Sequence, residues 1–94
     1  MSLEQRLADL SAEAAACRRE LEILEEQLRF QSDASEEARI RALVSETPLA
    51  DREADEAGRD LARLTRVRDE VAGRLERINA EIDRLLDEAG PALR

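Results

Sequence analysis

The chain has 94 residues, 43% apolar and 40% charged, with a formal net charge of −8. That length allows one domain, and the acidic balance excludes both a phosphate-binding surface, which needs a basic face, and attachment to an anionic membrane surface. Alanine, leucine, glutamate and arginine dominate, the composition of a long helix or coiled coil, while the single aromatic residue, Phe30, is too little to fill a rounded core.

No apolar run approaches the roughly 18 residues that signal a membrane-spanning helix. The start, Met1-Ser2-Leu3-Glu4-Gln5, is polar and reads as the entry to a helix rather than a leader. One cysteine, Cys17, makes no internal disulfide, so a cytoplasmic location is expected. All fifteen basic residues are arginine, which points to codon bias in a GC-rich genome.

Ser2 and Gln5 have the spacing of a capping box, in which each side chain satisfies an unpaired backbone donor. From Leu3 apolar residues recur at alternating steps of four and three: Leu7, Leu10, Ala14, Cys17, Leu21, and onward to Ala42. This is a heptad seam, rich in leucine as far as Leu28 and small and polar from Gln31 on. Ser32-Asp33-Ala34-Ser35 could start a new helix and give three in all, although the heptad phase runs through it unbroken. Pro48 ends the pattern, because it disfavours a helical Thr47 and cannot sit deep in a helix. Thr47 as N-cap and Pro48 as first helical residue start a second helix. Its seam runs unslipped from Ala50 through Leu61, Arg68, Val71 and Ile78 to Ala89, with Gly90-Pro91 as the stop. Gly58 and Gly73 interrupt it, Gly58 with room for a close backbone approach.

The expected fold is all-α: two long helices, about 2–45 and 48–89, forming an antiparallel coiled-coil hairpin. The hairpin is a single domain over 1–94 with its turn at 45–48, and two hairpins could pair into a four-helix bundle. Opposed seam residues then have numbers summing to 92, as in Leu10 with Ile82 and Leu24 with Arg68. Charges flanking the seam support that register by placing Arg41 against Glu53, Arg39 against Asp51, Glu20 against Arg74 and Arg6 against Glu88. Only Glu13 with Glu81 would be a like pair. The alternative is a long parallel coiled-coil rod, which Pro48 and these charges oppose.

Without histidine, lysine or tyrosine, acid–base chemistry would fall to carboxylates alone. A two-helix seam offers no pocket to tune them, so no catalytic residue, no cofactor and no metal site is expected. Acidic clusters such as Asp51-Glu53-Asp55-Glu56 lack the alternating ligands and glycine turn of a calcium loop and read as solvated faces. Cys17 reads as a small buried apolar residue, with a redox-sensitive thiol as the alternative. Arg68 is the charge within the seam, its stem covering Leu24 and its head directed outward toward Glu25.

Apolar residues off the seam are the remaining signal, since contiguous exposed apolar surface marks interfaces. Ile23 and Phe30 lie one heptad apart on the flank of the first helix, and Val67 should face Gln27 between them. Phe30 either covers its own hairpin or anchors a contact, with a second copy (a dimer) or another helical protein as partner. Near the turn Ile40, Leu43, Val44 and Leu49 form a second cluster. With Glu46, Asp51 and Glu53 they make the tip a further contact surface. A non-enzymatic protein-interaction or scaffold module is the expected function.

The run from Arg41 to Glu53, RALVSETPLADRE, resembles that of short, uncharacterised coiled-coil proteins of high-GC bacteria. In architecture a long hairpin with acids at its tip is similar to the Gre-type transcript-cleavage factors, whose hairpins enter RNA polymerase. That likeness implies Glu46, Asp51 and Glu53 as tip acids of a transcription accessory factor, although the family's tip motif is not reproduced. Small secreted helical hairpins with a Trp-x-Gly bend are similar in size, but this chain has no tryptophan.

Overall fold

The computed structural model describes residues 1–90. Two helices account for almost all of them: α1, Leu3–Ser45, and α2, Pro48–Glu88. They form an antiparallel helical hairpin, with no strand among the described residues. α1 runs unbroken through Ser32–Ser35, so the three-helix alternative does not hold. Short polar side chains weaken a helix by only tenths of a kcal/mol each, and the continuing seam outweighs that. α2 ends at Glu88, one residue short of the expected bound. Pro91, half of the expected stop, lies outside the described residues.

Both helix starts are capped as the spacing predicts. Ser2 Oγ accepts from the Gln5 amide at 3.1 Å, and Gln5 Oε1 accepts from the Ser2 amide at 2.9 Å. The Thr47 hydroxyl accepts from the Ala50 amide at 3.2 Å, satisfying a donor that the start of α2 leaves without a partner. Between the helices stand only Glu46 and Thr47. The Glu46 amide donates to the Ala42 carbonyl at 3.1 Å, and its φ is 51°, so the chain leaves α1 through a left-handed residue.

The described residues group into two compact units. The turn-proximal unit is Glu22–Asp69; the other joins Met1–Leu21 to the part of α2 from Glu70 onward. In the turn-proximal unit Leu24, Ala38 and Ala50 are buried. In the other, Leu10, Ala14, Cys17, Val71 and Ile78 are. Every expected seam position from Leu3 to Ala89 is buried or half-buried, and none is exposed. The core is therefore a line of contacts. A buried leucine in it contributes about 1.5–3 kcal/mol, and an alanine far less.

The charges flanking the seam match the expected register only in part. Arg74 Nη1 lies 3.7 Å from Glu20, as expected. Arg39 instead pairs with Glu36, at 2.8 Å, and Glu88 pairs with Arg84, also at 2.8 Å. Both replacements lie on the same helix as their partner. A carboxylate three or four residues away is a fixed neighbour, whereas reaching the other helix orders two long side chains. Arg41 and Glu53 line one hollow without an ion pair. The Arg84 guanidinium, hydrogen-bonded to Glu81, holds that carboxyl below its ordinary value, and Arg6 acts in the same direction. Gln31 adds a cross-helix contact: its Nε2 donates to the Ala57 carbonyl over a long 3.4 Å. In a helix that carbonyl also accepts the amide of Leu61, the residue expected opposite Gln31.

Candidate protein-interaction surface

Once the seam is closed, the large apolar side chains still in water lie mostly on α1 and around the turn. Phe30 is 79% exposed, Ile23 59% and Val67 42%. Phe30 therefore does not cover its own hairpin. Ile23 and Phe30 are seven residues apart, two helical turns on one side of α1. Val67 projects three residues beyond Leu64, and Leu64 lines a hollow with Phe30, Gln27 and Gln31. A neighbouring hollow, floored by Ala34, Ala38 and Ala57, has Arg41 and Glu53 at its rim. Both hollows belong to the turn-proximal unit. Its apolar stripe thus borders an open trough between the helices, and alanines leave room in that trough for side chains from outside.

At the turn, Leu43 is 70% exposed and Val44 80%, with Ile40 and Leu49 also exposed. Ile40, Leu43 and Val44 follow the i, i+3, i+4 spacing that puts side chains on one face, here the face of α1 turned away from the seam. Glu46, Asp51 and Glu53 are exposed beside them. The sequence thus brings the three tip acids and four apolar side chains to one end of the turn-proximal unit.

Arg68 departs from its expected contact. Its Nε donates to Asp69 at 2.7 Å, while Glu25 only shares a hollow with it and Leu28. The neighbouring aspartate is the nearer acceptor. Arg68 remains half-buried, its side chain 33% exposed. Cys17 is buried and unpaired, as a small apolar residue of the seam. Gly58 does not mark a close backbone approach: a Cβ there would meet nothing within 4 Å. Among the described residues no three of His, Cys, Asp or Glu are grouped to hold a metal ion. No helix among them is long and apolar enough to cross a membrane.

No family model, no curated protein and no solved structure matches the chain. Of the resemblances read from the sequence, the two-helix hairpin is the part that the structure shows.

Proposed function

We propose that this hairpin is a non-catalytic, cytoplasmic protein-interaction module that self-associates through the stripe of Ile23, Phe30 and Val67. The observation that carries the reading is the exposure of Phe30. A ring in water beside two further apolar side chains forgoes burial that would contribute about 1.5–3 kcal/mol, and a second helical layer would recover it. Aromatic side chains at the centre of a patch are the usual anchors of interfaces. The alanine-floored trough beside the ring supports the same reading, because it can receive the ridge of another helix. Two hairpins joined there would form a four-helix bundle.

The test is the oligomeric state of wild type and Phe30→Glu in solution, by sedimentation at micromolar to millimolar concentration. Wild type should be a dimer, and the variant a monomer of unchanged helicity. Two monomers would overturn the reading.

A second reading is favoured by the cluster at the turn, since a bare connector has no use for exposed Leu43 and Val44. In it the tip docks on a larger partner, as the similarity to Gre-type hairpins suggests for RNA polymerase, with Glu46, Asp51 and Glu53 contributing charge. Affinity capture with tip variants tests it.

A further inference from the structure

The apolar cluster at the turn stands in the most acidic part of the chain. From Glu36 to Glu56 there are seven acids (Glu36, Glu37, Glu46, Asp51, Glu53, Asp55 and Glu56) and three arginines (Arg39, Arg41 and Arg52). That is a net −4, half of the chain's −8, within fewer than a quarter of its residues. All ten are exposed. Two of the arginines are already turned to acids of the hairpin itself. The Arg39 guanidinium donates to both oxygens of Glu36, at 2.8 and 3.0 Å, and Arg41 shares a hollow with Glu53, Glu56 and Asp60. Among the described residues none of Glu37, Glu46, Asp51 and Asp55 is in an ion pair. Acids and apolar side chains also share faces. Glu36 and Glu37 precede Ile40, Leu43 and Val44 at steps of three and four on α1, and Glu53 follows Leu49 by four on α2.

Apolar side chains edged by carboxylates select a partner by two properties at once. Leu43 and Val44, 70% and 80% exposed, are stabilised only by apolar surface that fits them. The carboxylates at their edge favour a cationic surface, because like charges brought together across an interface are strongly disfavoured. The tip of a second copy fails on charge, being equally acidic. Nucleic acid and an anionic lipid surface fail for the same reason. A polycation without an apolar face fails on the first count, since it leaves the cluster in water. The end of a two-helix hairpin is convex, so the surface that fits it is concave.

We infer that the tip docks into an apolar pocket of another protein, with arginine or lysine side chains at the pocket's rim. This rests on the second reading above, in which the tip contacts a larger partner. Leu43, Val44 and Leu49 fill the pocket, and Glu37, Glu46, Asp51 and Asp55 face its rim.

Two measurements test the partner's chemistry. In the first, Leu43 and Val44 are replaced one at a time by photoreactive p-benzoylphenylalanine in the full chain, expressed in the native host. Ala8, exposed and outside the turn-proximal unit, is replaced likewise as the control. Irradiation should join both tip positions, and not the control, to one protein, at apolar residues of a pocket bordered by arginine or lysine. The second is the dissociation constant of that protein with the full chain. Raising the salt from low to physiological should weaken binding. Glu37→Gln/Glu46→Gln/Asp51→Asn/Asp55→Asn should weaken it roughly fivefold or more, through the loss of several exposed charge contacts. Arg52→Gln should leave it equal or tighter. Unchanged circular dichroism shows that the variants fold. Cross-links to an acidic or uncharged surface or to a second copy overturn the basic-rimmed pocket and leave the tip standing as a contact surface. So does an affinity indifferent to both salt and the fourfold variant. No cross-link at either tip position beyond the control overturns both.

Discussion

Glu46 is the one non-glycine residue with a positive φ among those described. A side chain in that left-handed conformation costs roughly 1–2 kcal/mol, through the approach of Cβ to the following carbonyl. Glycine is the residue that usually ends a helix in this way. Glu46→Gly should therefore stabilise the hairpin by about 0.5–1 kcal/mol, part of the gain being offset by the greater freedom of the unfolded glycine. Thr47→Ala, one residue on, should destabilise it by about 1 kcal/mol, because it removes the hydroxyl that caps α2. Urea unfolding followed by circular dichroism reads both. Stability unchanged or lowered in the glycine variant would mean that the turn adopts another conformation in solution. The position of the turn was legible from Pro48 and the capping chemistry of Thr47. The strain at Glu46 was not, since no propensity marks glutamate as left-handed; it follows from closing a reversal between two fixed seams with only two residues.

At the scale of the helices, the seams were legible because burial follows the spacing of four and three so closely. The phase also carried the reading through Ser32–Ser35, where residue type alone suggested a break. The flanking ion pairs were less legible. Sequence position says which charges lie on neighbouring flanks, but an arginine has several carboxylates within reach and settles on the one that orders the fewest atoms. Arg39 with Glu36, and Arg84 with Glu81 and Glu88, are such local choices. Gly58 was misread for a similar reason, since spacing alone cannot tell a close approach from empty solvent. Gly58 is exposed, with open space around its missing Cβ. At Gly73 a Cβ would only touch the Arg77 guanidinium, at 3.4 Å, the movable end of a long side chain. Gly58→Ala should accordingly raise the unfolding free energy by about 1 kcal/mol, the helix-propensity difference alone. The same substitution would destabilise if Gly58 lay against another backbone. The sign of the change in the urea midpoint decides between these.

At the scale of the molecule, two exposed apolar surfaces compete for the role of docking site, and their geometry separates their tasks. The stripe lies along the flank, where only an elongated partner such as another helix pair covers it. The cluster of Ile40, Leu43, Val44 and Leu49 lies at an end, where a concave site on a larger partner could enclose it together with Glu46 and Asp51. Substitutions at one surface should therefore leave the other working. Leu43→Glu/Val44→Glu and Glu46→Gln/Asp51→Asn should keep the wild-type oligomeric state, because neither pair touches the stripe. Phe30→Glu should abolish self-association while leaving a tip partner bound, with weaker retention where two tips act together. For the tip reading the measurement is capture from the native host with tagged chains, scored for RNA polymerase. Recovery by wild type and Phe30→Glu, lost in both tip variants, would establish the tip as the site of contact. If polymerase is absent from the wild-type capture, that partner is eliminated. The stripe then stands as the surface with a stated occupant, a second copy of the chain, because exposed Phe30 and Ile23 border a trough that a further helix can fill.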